Sequence, residues 1–490
     1  MLFLLILLAL AAPVAAQDDL DQHVRKFIDV FALVEETAAD PIDYDKAFYS
    51  GAIPGLLKKL DPHSVFFDPG QFEQLKQLQT STSKGFGSVV SVLPGRVIVL
   101  QTLPGTPSAK AGIAPGDEII VVNGYPLARL EMEQLIGLLG QSRQQPARLE
   151  VRRPGNVRLL NFVLVPEEMQ APSVERTFLL EPGKGYIRVS SFDEQTAEQI
   201  KEAIEKLGGK SLNGLVLDLR NNPGGLLPTA MKTAALFLKP GQRILSVRGR
   251  RVPEQEKGVP EGNDPYTFPV AILINGKSAS ASEIVAGAVQ DHDRGAIVGE
   301  PSFGKGLVES VYPLSFSTGL ALTTSLYYTP SGRSIQRPLG KEFALSATSE
   351  KPNEKDEFRT DAGRVVKGGG GIIPDHVVFP PIPSRLGVVL EASGAFPTFA
   401  TDYLSRHKDL KPDFTVTPAI LDEFQVFLSE RNIRPGIAEW SRERDIMQHR
   451  LQQEILNQAF GVEKGDEVEV RNDPVVKKAL ETMQPADARP

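Results

Sequence analysis

The chain has 490 residues, with 54 Lys and Arg against 61 Asp and Glu, six histidines and no cysteine. Without cysteine, a thiol nucleophile, a disulfide and a thiolate metal site are excluded, and a net charge of −7 argues against nucleic acid held by phosphate neutralisation. A hydrophobic content of 41% over this length is enough for the cores of about three domains.

Met1–Ala16 is an uncharged apolar run closing on Val14-Ala15-Ala16, a small-residue pattern ahead of Gln17. It reads as a secretory signal, since it falls short of the ~20 residues that span hydrocarbon. A short membrane anchor is the alternative, because no Lys or Arg precedes the run. The expectation is an exported, periplasmic or otherwise extracytoplasmic protein, membrane-associated if the run stays uncleaved. Residues 17–78 place Val24, Phe27, Ile28, Phe31 and Val34 at helical spacing and break at Asp61-Pro62-His63-Ser64. Residues 79–168 change to short β-type runs (Val97–Leu100, Glu118–Val122, Arg148–Val151) between Pro-Gly and Asn-Gly turns, with one helical stretch, Glu131–Leu139. Residues 169–390 alternate strands (Gly185–Val189, Gly214–Leu219, Val270–Ile274, Ala296–Val298) with helices (Ala197–Leu207, Leu227–Leu238, Ser282–Gln290). That rhythm predicts an α/β domain with crossover connections. Residues 340–371, polar and then Gly-rich, read as a mobile loop. Residues 391–490 return to helical periodicity, with helices expected at 418–432, 436–459 and 474–483; their apolar positions Ile420, Phe424, Phe427 and Leu428 serve either a partner or an internal core.

Two junctions of the α/β region share one design. Gly214–Leu219 runs into Arg220-Asn221-Asn222-Pro223-Gly224-Gly225, and Val270–Ile274 runs into Asn275-Gly276-Lys277-Ser278-Ala279-Ser280-Ala281-Ser282-Glu283. Each puts free N–H groups and a helix N-terminus at the carboxyl end of a strand, where negative charge is stabilised. This outlines an oxyanion site, although any strand-to-helix turn needs glycines and a hydroxyl cap, and Ser280 to Glu283 fits a capping box. A serine nucleophile needs a base. His292 follows the same helix, His63 sits in a Pro-bounded turn, and His23, His376, His407 and His449 are scattered as surface histidines are. Lys305, between two glycines in Ser302-Phe303-Gly304-Lys305-Gly306, is the other candidate: an amine turned inward and stripped of water can accept a hydroxyl proton. Gly299–Lys305 also matches the first seven positions of a phosphate-binding loop. Gly306 then stands where that loop carries Ser or Thr, and the alternating Leu307–Tyr312 stands where it requires a helix.

These segments resemble the carboxyl-terminal processing peptidases. The matching runs are Asp218–Gly225, Ser278–Ile284, Phe303–Gly306, Leu322-Thr323-Thr324 with Tyr328–Ile335, and Gly369–Asp375, in family order over roughly residues 40–380. The resemblance implies an α/β fold: a crotonase-like peptidase core with an inserted or preceding PDZ domain and helical N- and C-terminal regions. It implies a serine endopeptidase with a Ser-Lys pair. Position by position, Ser280 is the nucleophile and Lys305, 25 residues later as in the family, the general base. The oxyanion donors are the N–H of Ala281 and that of Gly225 or Gly224, with Gly225 preferred. One departure stands out. Glu309 occupies the place of a Gln that orients the amine, and an ionised carboxylate there would hold the lysine as ammonium.

Lys84–Val89 resembles the carboxylate-binding loop of PDZ domains, and Ala114–Gly124 their central strand and turn. Gly85, Phe86, Gly87, Ser88 and Val89 would bind a peptide C-terminus, which adds as a strand beside Ser88–Ser91, with Leu135 and Leu138 lining a pocket for its last side chain. Arg153, closing the last PDZ strand, is a candidate for coupling peptide docking to the peptidase core. The expected partners are protein or peptide substrates with accessible C-termini, and a second copy or an adaptor through the helical termini. No cofactor is expected, and the histidines show no metal-ligand spacing. The alternatives are a peptide-binding module in which Glu309 pairs Lys305, and a hydrolase using Ser280 with His292 or His63.

Overall fold

A computed structural model describes residues 12–79, 82–340 and 357–483. Residues 1–11 of the expected leader and 341–356 of the expected mobile loop lie outside the described residues. The chain forms two compact units. The first contains the residues up to Pro69 with Ser310–Leu322. Here α1 (Ala12–Thr37) supplies the predicted helical lead-in, and Phe31 packs against Phe48 and Tyr44 with ring centroids 4.9 and 6.1 Å apart. β1 (Val65–Phe67) pairs antiparallel with Gly319–Ala321. Among the described residues, no helix is long and apolar enough to cross a membrane.

The second unit contains Gly70–Glu309, Thr323–Pro338 and residues 357–483. Its first layer is an antiparallel sheet, β2 (Ser88–Leu93), β3 (Arg96–Thr102), β4 (Glu118–Val122), β5 (Ala147–Arg152) and β6 (Leu160–Leu164), in that spatial order, with α2 (Met132–Ser142). Alternate residues of the strands face inward, so Val97, Val99, Val122, Leu149 and Val151 make one core with Leu135 of α2. β2 is an edge strand. Thr82–Gly85 pairs with Glu167–Gln170 where the chain enters and leaves this layer.

The α/β core is a six-stranded sheet of β7 (Val174–Glu181), β8 (Lys184–Val189), β9 (Gly214–Asp218), β10 (Val270–Ile274), β11 (Ala296–Gly299) and β12 (His376–Val377), in sequence order. Only β7 and β8 are antiparallel; the remaining pairs are parallel. Parallel strands need crossovers, and α3 (Thr196–Leu207), α4 (Leu227–Ala235) and α5 (Ala281–Asp291) supply helical segments for them. Every residue of β9 and β10 is buried, because both sheet faces are covered. Leu215, Leu217, Ile272 and Ile274 face α3, α4 and α5, while Val216, Ala271 and Leu273 face the opposite way.

The helices expected over 391–490 divide between a core of their own and that opposite face. α6 (Arg385–Ser393), α7 (Ala395–Arg406), α8 (Pro418–Glu430) and α9 (Ile437–Phe460) enclose their own core of Phe396, Phe399, Phe424, Phe427 and Leu451, so Ile420, Phe424, Phe427 and Leu428 are internal. α10 (Val462–Asn472) and α11 (Pro474–Thr482) instead lay Val470, Val475, Val476 and Ala479 on Tyr186, Val216, Ala271, Leu273 and Val298 of the sheet. The core therefore closes only with the last described helices in place. The loop expected over 340–371 also differs from 357 onwards: Phe358-Arg359 pairs with Val365-Val366, and Arg364 binds Asp293 and Asp375 at 2.6 and 2.5 Å. Polar composition there serves an ion-pair network rather than solvent.

Val476 is fully buried against the sheet. Val476→Ala removes about two methyl groups' worth of burial and leaves a cavity, which lowers unfolding free energy by about 2 kcal/mol in urea titration. Val163→Ala, at a site 65% exposed, changes it by less than about 0.5 kcal/mol.

Candidate active site

The two strand-to-helix junctions are zipped together. Asn221 donates its N–H to Asn275 Oδ1 at 2.9 Å, and Asn275 Nδ2 donates to Asn221 Oδ1 at 3.0 Å. Ala279 N–H and Ser282 Oγ both donate to Asn222 O at 3.0 Å, and Ser278 Oγ donates to Leu219 O at 2.7 Å. The second junction is thereby held against the first, so Gly224 lies so close to Ser280 that a Cβ on it would stand 2.8 Å from Ser280 Cβ. Gly224 and Gly225 have φ of 103° and 147°, conformations open to glycine alone. The two glycines are not equivalent. Gly224 is buried and its N–H donates to Asn222 Oδ1 at 2.9 Å, whereas Gly225 is exposed and its N–H has no acceptor among the described residues. Ala281 N–H, at the first turn of α5, is likewise without one.

Ser280 is the N-cap of α5, half-buried, with φ 53° and ψ −112°. A non-glycine residue in that region carries strain of about 1–3 kcal/mol, held only when its surroundings over-determine it. Here they do. Its N–H donates to Glu283 Oε2 at 2.8 Å, and its carbonyl accepts from Glu283 N–H at 2.8 Å, Ile284 N–H at 3.0 Å and Tyr327 Oη at 3.3 Å.

Glu283 does more than cap. Its Oε2 also accepts from Lys305 N–H at 2.9 Å, and its Oε1 from Gly304 N–H at 2.7 Å and Ser302 Oγ at 2.5 Å. One fully buried carboxylate thus joins the backbone of Ser280 to that of Lys305. Burial raises Glu283 above the ordinary carboxylate range, against the pull of Ser302 and the three N–H donors. Burial also pushes the Tyr327 phenol well up, with the charge of Glu283 adding to it.

The loop carrying Lys305 is strapped at every residue. Ser302 N–H donates to Ile372 O, Phe303 N–H to Ser278 O, and Gly306 N–H to Gln336 Oε1, at 3.0, 2.9 and 2.8 Å, beside the two bonds to Glu283. A phosphate-binding loop needs those groups free, so the match of Gly299–Lys305 to such a loop has no function here. The Lys305 side chain, 20% exposed, sets Nζ 2.8 and 3.0 Å from the two oxygens of Glu309. No hydrogen bond links Nζ to Ser280 among the described residues.

His292 caps the other end of α5, about 18 Å of helix away from Ser280. Its Nε2 lies 2.7 Å from Arg243 O and its Nδ1 2.8 Å from Asp361. Both ring nitrogens are occupied, so His292 is not the base for Ser280. His63 belongs to the other unit. No group of three or more metal-ligating side chains assembles among the described residues.

In the first layer, Phe86 and Gly87 precede edge strand β2, and neither N–H has an acceptor among the described residues. Gly85 differs from the expected loop: it is buried and paired with Glu167. Ser88 Oγ donates to Ser108 Oγ at 2.6 Å, and Val89 is half-buried on β2. Leu135 has no exposed surface and belongs to the core, while Leu138 is half-buried beside it. The helical period places Leu135 inward and leaves Leu138 at the rim. Arg153 binds Asp117 through Nε and Nη2 at 2.7 Å and Gly112 O at 2.7 Å, a clamp within its own layer.

Sequence reasoning read Glu283 only as a cap and gave Asn221 and Asn275 no role. Glu283 carried a signal, an acidic residue followed at once by the buried run Ile284-Val285-Ala286.

Comparison with known proteins identifies the family. The family described as Peptidase family S41 matches residues 183–341, and a PDZ domain matches residues 98–153. A carboxy-terminal-processing protease of Bartonella bacilliformis is 37% identical over 323 residues, 64% of this chain and 73% of its own. The carboxy-terminal processing protease CtpB of Bacillus subtilis is 30% identical over 332 residues, 67% of this chain and 69% of its own. One from a Synechocystis strain is 32% identical over 292 residues, 58% of this chain and 68% of its own. With a PDZ layer beside an S41 core, the chain belongs to the carboxy-terminal processing proteases, which are serine-type peptidases.

Proposed function

We propose that the protein is an exported endopeptidase that captures substrate C-termini on its PDZ layer and cleaves peptide bonds with Ser280 as nucleophile and Lys305 as base. The observation that carries this reading is the single Glu283 carboxylate shared by the backbones of Ser280 and Lys305. Export rests on the apolar run Met1–Ala16. The exposed apolar residues of α1, Leu20, Val24, Phe27 and Ile28, favour association through the helical termini.

In the reaction, neutral Lys305 takes the Ser280 proton as Oγ attacks the scissile carbonyl. The oxyanion is received by the N–H groups of Gly225 and Ala281, which are fixed before the substrate arrives. Lys305 then protonates the leaving amine, and water releases the acyl group by the reverse sequence. A substrate C-terminus meets the N–H groups of Phe86 and Gly87, and its chain adds to the free edge of β2.

The contact of Nζ with both oxygens of Glu309 favours a second reading, a resting or weakly active module in which the lysine stays an ammonium. Three measurements separate these. Ser280→Ala and Lys305→Ala each lower peptidolysis of an unfolded protein by roughly 10³-fold or more, while His292→Ala keeps it. A parent protein inactive on every unfolded substrate would favour the binding module. Glu309→Gln removes the negative charge that favours the ammonium, so the acidic limb of the kcat/KM profile moves to lower pH. An unchanged profile removes Glu309 from the mechanism. In a Ser280→Ala background, fluorescence anisotropy gives binding of a peptide with a free C-terminal carboxylate and none of its amide. Gly87→Val abolishes that binding, because φ is 76° and a Cβ would collide with Thr106.

A further inference from the structure

The loop that carries Gly225 is anchored from outside the peptidase-family segment. Arg220, the second residue after β9, reaches Asp218 with Nε at 3.0 Å and Nη2 at 2.6 Å, and Asp473 with Nη1 at 2.5 Å. Asp473 stands between α10 and α11. Its Oδ2 takes the guanidinium, and its Oδ1 caps α11 by accepting Val475 N–H at 2.8 Å. The two side chains are 16% and 18% exposed. Asp218 is fully buried and shared with Tyr186 Oη at 2.6 Å and Arg188 at 3.7 Å. Asp218 and Glu469 act on Arg188, and Asp218 and Asp473 on Arg220, so taking the charge from Asp473 strips Arg220 of the carboxylate that holds its Nη1 in a site that solvates it poorly.

The helices themselves cannot drift. Arg176 of β7 binds Asp466 of α10, Arg471 donates to Leu179 O and Leu180 O, and α11 packs on β9, β10 and β11. Asp473 is thus a fixed point, and Arg220 is the root of Asn221, Asn222 and Gly224-Gly225. A cavity of 380 Å³, lined in part by Arg220, Asn221, Asn275, Glu300 and Asp473, adjoins this root and gives it room to move when released.

We infer that Asp473 is a positioning residue for catalysis: by holding Arg220, it sets the Gly225 N–H against Ser280. The inference rests on the proposed oxyanion role of Gly225. Asp473 lies beyond residues 183–341, the span matched by the peptidase family.

The test uses the full chain. Asp473→Asn keeps a good helix cap but removes the charge from Arg220. The expected result is a fall in kcat of about tenfold or more with KM unchanged, since the defect is one of transition-state geometry. Binding of a peptidyl aldehyde, whose adduct with Ser280 is tetrahedral, weakens by the same factor, and Asp473→Glu recovers part of both. Val476→Ala lowers the melting temperature and leaves kcat at 25 °C unchanged. Asp473→Asn with parental kcat, or with a loss matched by Val476→Ala at equal destabilisation, overturns the inference. If Ser280→Ala remains active, the site reading itself fails. If Ser280→Ala is inactive and Asp473→Asn fully active, only the role of Asp473 fails.

Discussion

A buried carboxylate must be hydrogen-bonded or it destabilises the fold by several kcal/mol. Glu283 meets that requirement with Ser280 N–H, Gly304 N–H, Lys305 N–H and Ser302 Oγ. These donors come from two separate chain segments, so satisfying one charge brings both together. The rest of the site follows. Once Ser280 N–H and Lys305 N–H end on one oxygen, the serine cannot leave its strained conformation without stranding the acid. Glu283 also sits in the first turn of α5, where the helix dipole favours negative charge.

The zipped junctions solve a second problem. An oxyanion hole needs N–H groups that are fixed and unpaired, yet buried unpaired donors are costly. In the proposed site the two demands are separated between adjacent glycines. Gly224 is buried and satisfied by Asn222, and this fixes the chain direction that leaves Gly225 exposed and free. The Asn221 and Asn275 clasp does the same between strands. Rigidity comes from pairing every neighbour of the donors, which lets the donors themselves remain open.

Much of this was legible in the residues. Apolar strands ending in glycine and serine clusters predicted β9 and β10 with their helices, because local sequence dictates a strand-to-helix turn. What covers the second face of Leu215 to Leu217 was not legible: a continuous apolar run shows that both faces are covered, but not that α11, more than 250 residues later, covers one of them. For the same reason Asp473 was invisible, since a helix-capping aspartate looks alike whether or not an arginine lies across from it. Leu135 and Leu138 lie on one face of a helix, less than a turn apart, and the small offset of the 3.6-residue period that buries the first and leaves the second at the rim shows only once the strands beneath are in place. Gly85 read as a loop residue because its partner, Glu167, comes after the whole layer has been built. What sequence carries is local geometry. What it conceals is closure by distant segments.

The pairing of Lys305 with Glu309 bears on charge rather than on shape. A neutral lysine amine has two N–H donors and one lone pair, so it can donate an N–H hydrogen bond to residue 309 while its lone pair faces Ser280 Oγ. The carbonyl oxygen of a glutamine would take the same N–H in nearly the same place. Orientation is therefore available to either side chain, and only the carboxylate adds a full negative charge that favours the ammonium. A substrate that covers this half-buried pair intensifies both sides of the balance: exclusion of water disfavours the charged amine, while the lower local dielectric strengthens its attraction to the carboxylate. A residue 309 that only accepts the amine N–H, as a glutamine does, leaves the lone pair directed at Ser280 Oγ, and that orientation is what the Ser-Lys reading asks of this position.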